Sequence, residues 1–221
     1  MMSVVQTKKL KIRIYVDALN FYYGIAKPYG FKWVDIKGLF CELLQPIAPN
    51  LEIEKIFLFT AIVQGTAANR QKIYVNALRA HYGDGLEVVT GYMTRTQKKG
   101  KILGANTDEI VTVQVYEEKE TDVNIACQIV EDAYTRQEFD ISCLVSNDSD
   151  IARALMIKKR LKQRVLLICP RTKDSKTSIS NSLKRWVNKK DRIGFIDQNQ
   201  LIKYRLPDPI GKWHSPKMSG W

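Results

Sequence analysis

The chain has 221 residues, of which 45% are hydrophobic and 26% are charged, and its formal net charge is +12. That length allows one large domain with a sizeable core, and the composition is that of a globular rather than a disordered protein. No apolar run approaches the roughly 20 residues that a membrane helix needs, and residues 1–11 lack the apolar centre of a signal peptide. We therefore predict a cytoplasmic protein with no membrane partner.

The first half of the chain is predicted to alternate strands with helices. Residues 11–17 (KIRIYVD) alternate and then become continuously apolar, which is typical of a buried strand. Helical spacing over 33–44 is followed by the Ile-, Phe- and Val-rich strand pattern of 53–63. A helix is predicted next over 67–81, and a strand over 86–93.

The second half begins with a basic, glycine-containing segment, 94–106, which predicts a loop or a hairpin tip. A returning strand is predicted over 110–116. Further helices are predicted over 122–134, 148–161 and 178–187, and further strands over 140–145, 165–169 and 193–196.

This alternation predicts a parallel β-sheet with helices on both faces. The apolar runs FLFTAIV and VLLIC favour the same arrangement, because parallel strands are buried on both faces. We predict one domain over residues 1–205. The proline-containing segment 206–221 is predicted to be an extended tail or a segment laid over that domain.

The four cysteines form no CxxC pair, and each lies in an apolar stretch. Zinc ligands usually come in closely spaced pairs, so the pattern does not favour a zinc site. We predict reduced, buried thiols at Cys41, Cys127, Cys143 and Cys169.

Acidic residues follow two of the predicted strands, at the point where each strand ends. Asp17 closes the strand at 11–17, and Asp148 and Asp150 follow the strand at 140–145, together with Ser146 and Asn147. In an open α/β sheet, ligands bind beyond the carboxyl ends of the strands. We therefore expect these carboxylates to lie at one edge of the sheet.

A further carboxylate, Asp122, lies near the start of a predicted helix. Its helical partners Ala126, Ile129 and Ala133 form the apolar stripe, so Asp122 is expected to point along the buried face. A buried carboxylate is costly unless it is paired, used as a cap or bound to a cation.

Crowded carboxylates repel one another, and a hard divalent cation such as Mg²⁺ or Mn²⁺ relieves that repulsion. Such a cation activates water and stabilises charge in phosphodiester hydrolysis. Each acid has a simpler alternative: Asp148 as a helix cap, Asp17 as a turn residue, and Asp122 as a partner of the helix dipole. Their joint occurrence favours the metal site.

Charge is unevenly distributed along the chain. Residues 158–192 contain thirteen Lys and Arg against two Asp, whereas residues 108–132 contain eight acidic residues against one Lys. A basic surface beside an acidic pocket favours a polyanionic partner, RNA or alternatively DNA, and a merely solvated basic surface is the other interpretation. The candidate phosphate contacts are Lys158, Lys159, Arg160, Arg171, Lys173 and Lys176.

Three segments resemble the motifs of a known family. They are VDALNFYYG (16–24), EKETDVNIACQIVEDAY (118–134) and CLVSNDSDIARAL (143–155). They are similar to the motifs of NYN domains, which are PIN-like nuclease domains of the bacterial LabA-like kind. The resemblance implies a Rossmann-like three-layer α/β/α sandwich with a mainly parallel central sheet, and an Mg²⁺- or Mn²⁺-dependent ribonuclease site.

Within that resemblance, Asp17, Asp122, Asp148 and Asp150 match the motif aspartates and are expected to be catalytic and to bind metal. Asn20 and Ser146 match polar positions of the motifs, and they are expected to position the substrate together with Asn147. The chain departs from the family pattern where Ala18, Thr121 and Asn147 replace common glycines. These departures bear on substrate preference more than on the metal chemistry.

The resulting hypothesis is a metal-dependent endoribonuclease. One alternative is a nucleic-acid-binding or regulatory module with weak or no cleavage, since the basic surface supports that function equally well. A phosphatase of the haloacid-dehalogenase type also uses a DxD pair, but that pair follows its first strand, whereas Asp148 and Asp150 follow a late one. A homo-oligomer is a further expectation for its assembly.

Overall fold

The computed structural model describes residues 9–102, 110–135, 139–207 and 210. It has an α/β fold around a seven-stranded sheet, in the order β4-β3-β2-β1-β5-β6-β7. The strands are β1 Leu10–Asp17, β2 Leu51–Ala61, β3 Leu86–Lys101, β4 Ile110–Lys119, β5 Ile141–Val145, β6 Arg164–Ile168 and β7 Arg192–Ile193. The helices are α1 Ala18–Phe21, α2 Ile36–Leu44, α3 Thr66–Tyr82, α4 Thr121–Thr135, α5 Ala152–Arg160, α6 Asn181–Lys184 and α7 Gln198–Lys203.

The sheet is mixed. All neighbouring strands from β3 to β7 are parallel, whereas β3 and β4 form an antiparallel hairpin that pairs Tyr92 with Lys119 and Lys101 with Ile110. The predicted α/β class is confirmed, but the sheet is not the simple mainly parallel one that was expected. Segment 94–106 was predicted to be a loop or a hairpin tip. It is strand as far as Lys101 and belongs to this hairpin, and residues 103–106 lie outside the described part.

Two hydrophobic cores lie on opposite faces of the sheet. Along β1, Ile12, Ile14 and Val16 belong to one core together with residues of α2 and α3. Tyr15 points to the other face and packs with residues of α4 and α5, such as Ile125. This alternation follows from the period of two along a strand, and it leaves the strand ends free to carry polar groups.

A buried polar network lies under the second core. The Arg13 guanidinium donates to Asp132 Oδ1 at 3.0 Å and to Glu54 Oε2 at 2.6 Å, and Tyr15 Oη donates to Asp132 Oδ2 at 2.7 Å. Asp132 is fully buried and Arg13 is 4% exposed. Buried charges of this kind are tolerated when they are paired and hydrogen-bonded.

Three predicted helices are shorter than expected, and one of them, predicted over 148–161, is α-helical over Ala152–Arg160. The helix predicted from 33 starts at Ile36, because Asp35 caps it by accepting from Gly38 N–H at 3.0 Å. The helix predicted over 178–187 is reduced to Asn181–Lys184. The first part of the predicted tail is packed on the domain, since Leu206 is buried and its N–H donates to Trp33 O.

The four cysteines are free thiols, as predicted. Cys143 and Cys169 are buried and Cys41 is partly so, but the prediction of burial was wrong for Cys127, which is exposed. Among the helices of the described residues, none is both long and apolar enough to cross a bilayer.

Candidate functional site

The carboxyl end of β1 presents a buried carboxylate. Asp17 ends the strand and caps α1, with Oδ1 accepting from Asn20 N–H at 2.9 Å. Its other oxygen, Oδ2, accepts from Ser146 Oγ at 3.0 Å. Burial raises the pKa of Asp17 to about 7, although these two hydrogen bonds act in the opposite direction. Asp17 therefore lies where an adjacent cation would stabilise its charged form.

The loop after β5 is closely tied to the end of β1. Ser146 Oγ also accepts from Asp148 N–H at 3.0 Å, and Asp148 Oδ1 accepts from Asp150 N–H at 2.8 Å. Asn20 Oδ1 accepts from Asn147 N–H at 3.1 Å. The two loops that follow adjacent parallel strands are thus held in a fixed relation by side-chain hydrogen bonds.

Three carboxylates come together in front of this loop. One oxygen each of Asp122, Asp148 and Asp150 lies within 4.8 Å of the others. Burial, followed by the neighbouring Asp148, Glu118 and Asp150 carboxylates, raises the pKa of Asp122 to about 6. Such crowding is costly without a counter-charge. We call these three residues the acidic triad.

Asp17 is not part of this close group, but it lies in the same cleft. The cleft has a volume of about 790 Å³ and is lined by Asp17, Asp122, Asp148 and Asn147, among others. The negative charge of Asp122 raises the pKa of Asp17, so the two carboxylates lie within electrostatic range of each other. The structure therefore places all the predicted acids at one edge of the sheet, with Asp17 outside the close group of three.

Glu118, near the end of β4, is an acid of the cleft that the sequence analysis did not single out. It lines the cleft, and its charge raises the pKa of both Asp17 and Asp122. Its Oε1 atom is buried without a hydrogen-bond partner among the described residues. The position of Glu118, four residues before Asp122, is visible in the sequence. The direction of its side chain depends on how β4 pairs with β3 in the hairpin.

The donor set fits a hard divalent cation. The triad offers carboxylate oxygens only, which is the ligand type that Mg²⁺ and Mn²⁺ prefer over nitrogen or sulfur. The unpartnered Glu118 Oε1 is a further oxygen whose burial lacks a compensating contact, as expected of a group that has an additional ligand.

All three predicted substrate-positioning residues make side-chain hydrogen bonds within the protein, Asn20 by accepting from Asn147 N–H. The Asn147 amide donates to Ser178 O at 3.1 Å and accepts from Ser180 N–H at 2.8 Å. Ser146 is fully buried and joins Asp17 to Asp148. Their observed contacts hold the loops of the cleft in place.

The structure corrects part of the predicted basic surface. Lys158 is 2% exposed, and its ammonium lies 4.9 Å from the centre of the Phe139 ring. Burial lowers the pKa of Lys158 to about 8, opposed by the charge of Asp132. Its inclusion among the phosphate contacts was wrong, because a strand outside the protein cannot reach it.

Lys159 and Arg160 lie at the opposite edge of the sheet from the cleft. They end α5, which starts beside Asp150 and is about 13 Å long at 1.5 Å per residue. The chain then enters β6 at Arg164, which pairs with the first residue of β5. Both residues are thus distant from the triad carboxylates.

Arg171, Lys173 and Lys176 lie in the loop after β6, at the edge that carries the acids. Arg171 lines the cleft, and its guanidinium donates to Gly194 O at 2.6 Å and to Thr177 O at 2.5 Å. Lys173 and Lys176 are exposed on the same loop. This loop brings positive charge next to the acidic cleft.

The fold and this cleft define a class: an α/β protein with a carboxylate cluster beyond the carboxyl ends of its parallel strands. More specifically, the chain belongs to the NYN domain family, whose profile matches residues 11–189. The resemblance seen in the sequence is thereby confirmed, and with it a nuclease-like function of the PIN kind is indicated.

Two further comparisons place the chain among known proteins. It is 30% identical, over 248 residues, to the 6-hydroxy-3-succinoylpyridine 3-monooxygenase HspA of Pseudomonas putida (strain DSM 28022 / S16), covering all of this chain and 78% of that protein. The crystal structure of VPA0982, a protein of unknown function from Vibrio parahaemolyticus RIMD 2210633, is similar with a TM-score of 0.52 and 21% identity. That similarity covers 93% of this chain and 100% of the other, and it concerns the fold alone.

Proposed function

We propose that this protein is an Mg²⁺- or Mn²⁺-dependent nuclease that hydrolyses phosphodiester bonds, with RNA as its substrate and cleavage within the strand. The observation that carries the proposal is the acidic triad, with three carboxylate oxygens within 4.8 Å of one another at the ligand-binding edge of an NYN domain. A bound divalent cation would supply an activated water and stabilise negative charge on the phosphate.

The chain's own residues would divide the work as follows. Asp122, Asp148 and Asp150 would hold the cation, and Glu118 would offer a further oxygen. Asp17 would add negative charge from β1 and, through Ser146, orient the Asp148 loop. Asn20 would fix the same loop through the Asn147 backbone.

Positive charge beside the cleft would position the strand. Arg171 lines the cleft, and Lys173 and Lys176 extend the basic edge into solvent. Contacts of this kind hold phosphates without reading the base sequence. The choice between RNA and DNA would then depend on protein groups that lie near the sugar.

The direct test is cleavage of end-labelled single-stranded RNA in Mn²⁺, in Mn²⁺ with excess EDTA, and by the Asp148→Asn variant. We expect cleavage only in the first condition, with internal products. Asp84→Asn is the matched control, because Asp84 is exposed just before β3, at the amino edge of the sheet. Cleavage that survives both EDTA and Asp148→Asn would refute the metal mechanism, and single-stranded DNA of the same sequence tests the substrate.

A second candidate function comes from the relative at 30% identity, whose name describes a monooxygenase of a substituted pyridine. The structural observation that favours it is an apolar cavity of about 310 Å³ beside α1, with three tyrosines in its wall. Oxygenation consumes O₂ and a two-electron reductant, so the test supplies both, with 6-hydroxy-3-succinoylpyridine. A hydroxylated product in the mass spectrum, together with intact RNA in Mn²⁺, would favour this candidate over the nuclease.

A further inference from the structure

A second cavity adjoins the acidic cleft beside α1. Its volume is about 310 Å³, and it is enclosed by α1 and the following turn, the end of β2 and one face of α3. The wall is mostly apolar, with aromatic rings and two cationic side chains. The residues that matter are Tyr22, Tyr23, Tyr74, Lys32, Arg70 and Ala67.

The wall of this cavity is held in place by contacts within the protein. Gln71 Nε2 donates to Thr60 Oγ1 at 3.0 Å and to Ala61 O at 2.9 Å, and its Oε1 accepts from Val63 N–H at 2.8 Å. The Tyr74 ring packs edge-on against Trp33, with centroids 5.4 Å apart. The space therefore exists before any ligand binds, which is typical of small-molecule sites.

The cavity and the acidic cleft share a wall. Leu19 and Tyr23 line both, and they lie four residues apart on consecutive helical turns, so their side chains are on the same face. Tyr23 is 57% exposed, and its ring contacts Tyr22 at 5.1 Å and the Lys27 ammonium at 5.2 Å. Only one layer of side chains separates the two spaces.

We propose that this cavity receives a nucleobase from the strand whose phosphate lies on the acidic cleft, which makes the enzyme selective for unpaired bases. The inference rests on the proposed nuclease function. Apolar walls and tyrosine rings suit the faces of a base, because aromatic stacking is how single-stranded nucleic acids are held. Lys32 and Arg70 add the positive charge that an adjoining phosphate requires.

The position of the cavity favours a nucleobase over a separate small molecule as its ligand. The cavity lies next to the cleft rather than at a distance from it, so one nucleotide can place its phosphate in the cleft and its base behind Tyr23. A base in a stacked duplex is not available to such a cavity, since it must leave the stack first. Single strands, loops and bulges are therefore the expected substrates.

The test has two parts: a larger side chain fills the cavity, and an abasic strand lacks the bases that would enter it. Fluorescence anisotropy compares the binding of a fluorescein-labelled RNA 12-mer with that of an abasic oligonucleotide of equal length. Ca²⁺ replaces Mn²⁺ so that the strands are bound without being cleaved, and a gel verifies that the labelled strands stay intact. We expect the wild type to bind the RNA about tenfold more tightly than the abasic strand. Ala67→Phe is expected to abolish that difference.

Ala68→Phe is the matched control, because Ala68 is the next residue of α3 and does not line the cavity. It should keep the tenfold preference. If Ala67→Phe does not fold, judged by circular dichroism, Ala67→Leu and Ala68→Leu repeat the comparison with a smaller side chain. Equal binding of both strands by the wild type, or an Ala67→Phe variant that retains the preference, would overturn the proposal.

Two further measurements separate this inference from the proposed function. RNA cleavage in Mn²⁺, together with equal binding of the RNA and the abasic strand, would support the nuclease function and overturn the proposed nucleobase site. Nicotinate, a small aromatic acid, is tested by the same anisotropy competition. Binding of nicotinate that Ala67→Phe abolishes, with no preference for the base-bearing strand, would show a small-molecule site and overturn the nucleobase proposal.

Discussion

At the scale of single residues, the Ser146 hydroxyl joins the two loops of the site, donating to Asp17 Oδ2 and accepting from Asp148 N–H. We expect Ser146→Ala to weaken Mn²⁺ affinity about tenfold, because supporting hydrogen bonds of this kind orient metal ligands. Removal also leaves the buried Asp17 with one partner fewer, at a cost of about 1–3 kcal/mol in the free energy of unfolding. Calorimetric Mn²⁺ titration and thermal unfolding measure the two effects.

The control for that substitution is Ser182→Ala, since Ser182 is exposed on α6. It should change neither the Mn²⁺ affinity nor the unfolding transition. Mn²⁺ affinity that is equal in Ser146→Ala and the wild type would mean that the Asp148 loop does not depend on this bridge.

Lys158 gives a prediction about stability and pH. Burial lowers its pKa from 10.5 to about 8, so the folded state binds its proton less tightly than the unfolded state does. Replacing a buried charge with an apolar group of similar size is often stabilising by about 1–4 kcal/mol. We expect Lys158→Met to raise the free energy of unfolding at pH 7, and to leave RNA binding unchanged.

The pH dependence follows from the direction of that shift. Below pH 8 the lysine is charged in both states and its burial opposes folding in full. Between pH 8 and 10.5 the unfolded state holds more protons, so the wild type gains stability relative to the variant as pH rises. Urea unfolding at pH 7 and pH 9.5 checks this, and a difference between the two proteins that widens with pH would contradict it.

The acids were more predictable than their supporting residues. Asp17 and Asp148 were predicted at this edge because each follows an apolar strand pattern that is clear in the sequence. Asp122 was predicted from its place on the apolar face of a helix, and Asp150 from its motif alone. Glu118 was missed because its direction depends on the hairpin register and on the turn at Glu120, whose φ is 76°. Neither feature leaves a local signal in the sequence.

At the scale of elements, β3 must let the β4–α4 turn approach closely. A Cβ added at Gly91 would overlap the Lys119 carbonyl and would lie 3.0 Å from Thr121 Oγ1. The turn carries Glu118 on one side and Asp122 on the other. We expect Gly91→Ala to push this turn outward, costing about 1–3 kcal/mol in the free energy of unfolding and lowering Mn²⁺ affinity.

Gly100→Ala is the control on the same strand, because no atom lies within 4 Å of the position of its added Cβ. Chemical unfolding and Mn²⁺ titration should find Gly100→Ala close to the wild type. If Gly91→Ala behaves in the same way, the close approach is not needed to place the cleft acids.

Some elements are predicted by the local sequence pattern, whereas others form only because they contact a distant segment of the chain. The buried strands β1, β2, β5 and β6 follow from their apolar runs. The distal half of β3 is polar and exposed, and it is strand only because it pairs with β4 from Tyr92 to Lys101. The helix predicted over 178–187 is shortened where the Asn147 side chain binds the backbone of Ser178 and Ser180.

At the scale of the whole molecule, the basic residues counted along the chain are not one surface. Lys158 is buried, and Lys159 donates to Asn188 Oδ1 at 2.9 Å at the amino edge. Arg171, in the loop after β6, lines the cleft. Composition could indicate that a polyanion binds. It could not locate the binding surface, because residues adjacent in sequence lie at opposite edges of the sheet.

The separation of these basic residues between two edges of the sheet leads to a prediction for RNA binding. The variant Lys173→Gln/Lys176→Gln removes two charges beside the cleft, and Lys159→Gln/Arg160→Gln removes two at the opposite edge. Each phosphate contact on a single strand contributes a slope of about −0.7 to the dependence of log affinity on log salt concentration. We expect the first variant to lose about 1.4 units of that slope, measured by anisotropy across a salt series, and the second to retain the wild-type slope. The reverse result would place the strand along α5 and separate RNA binding from the acidic triad.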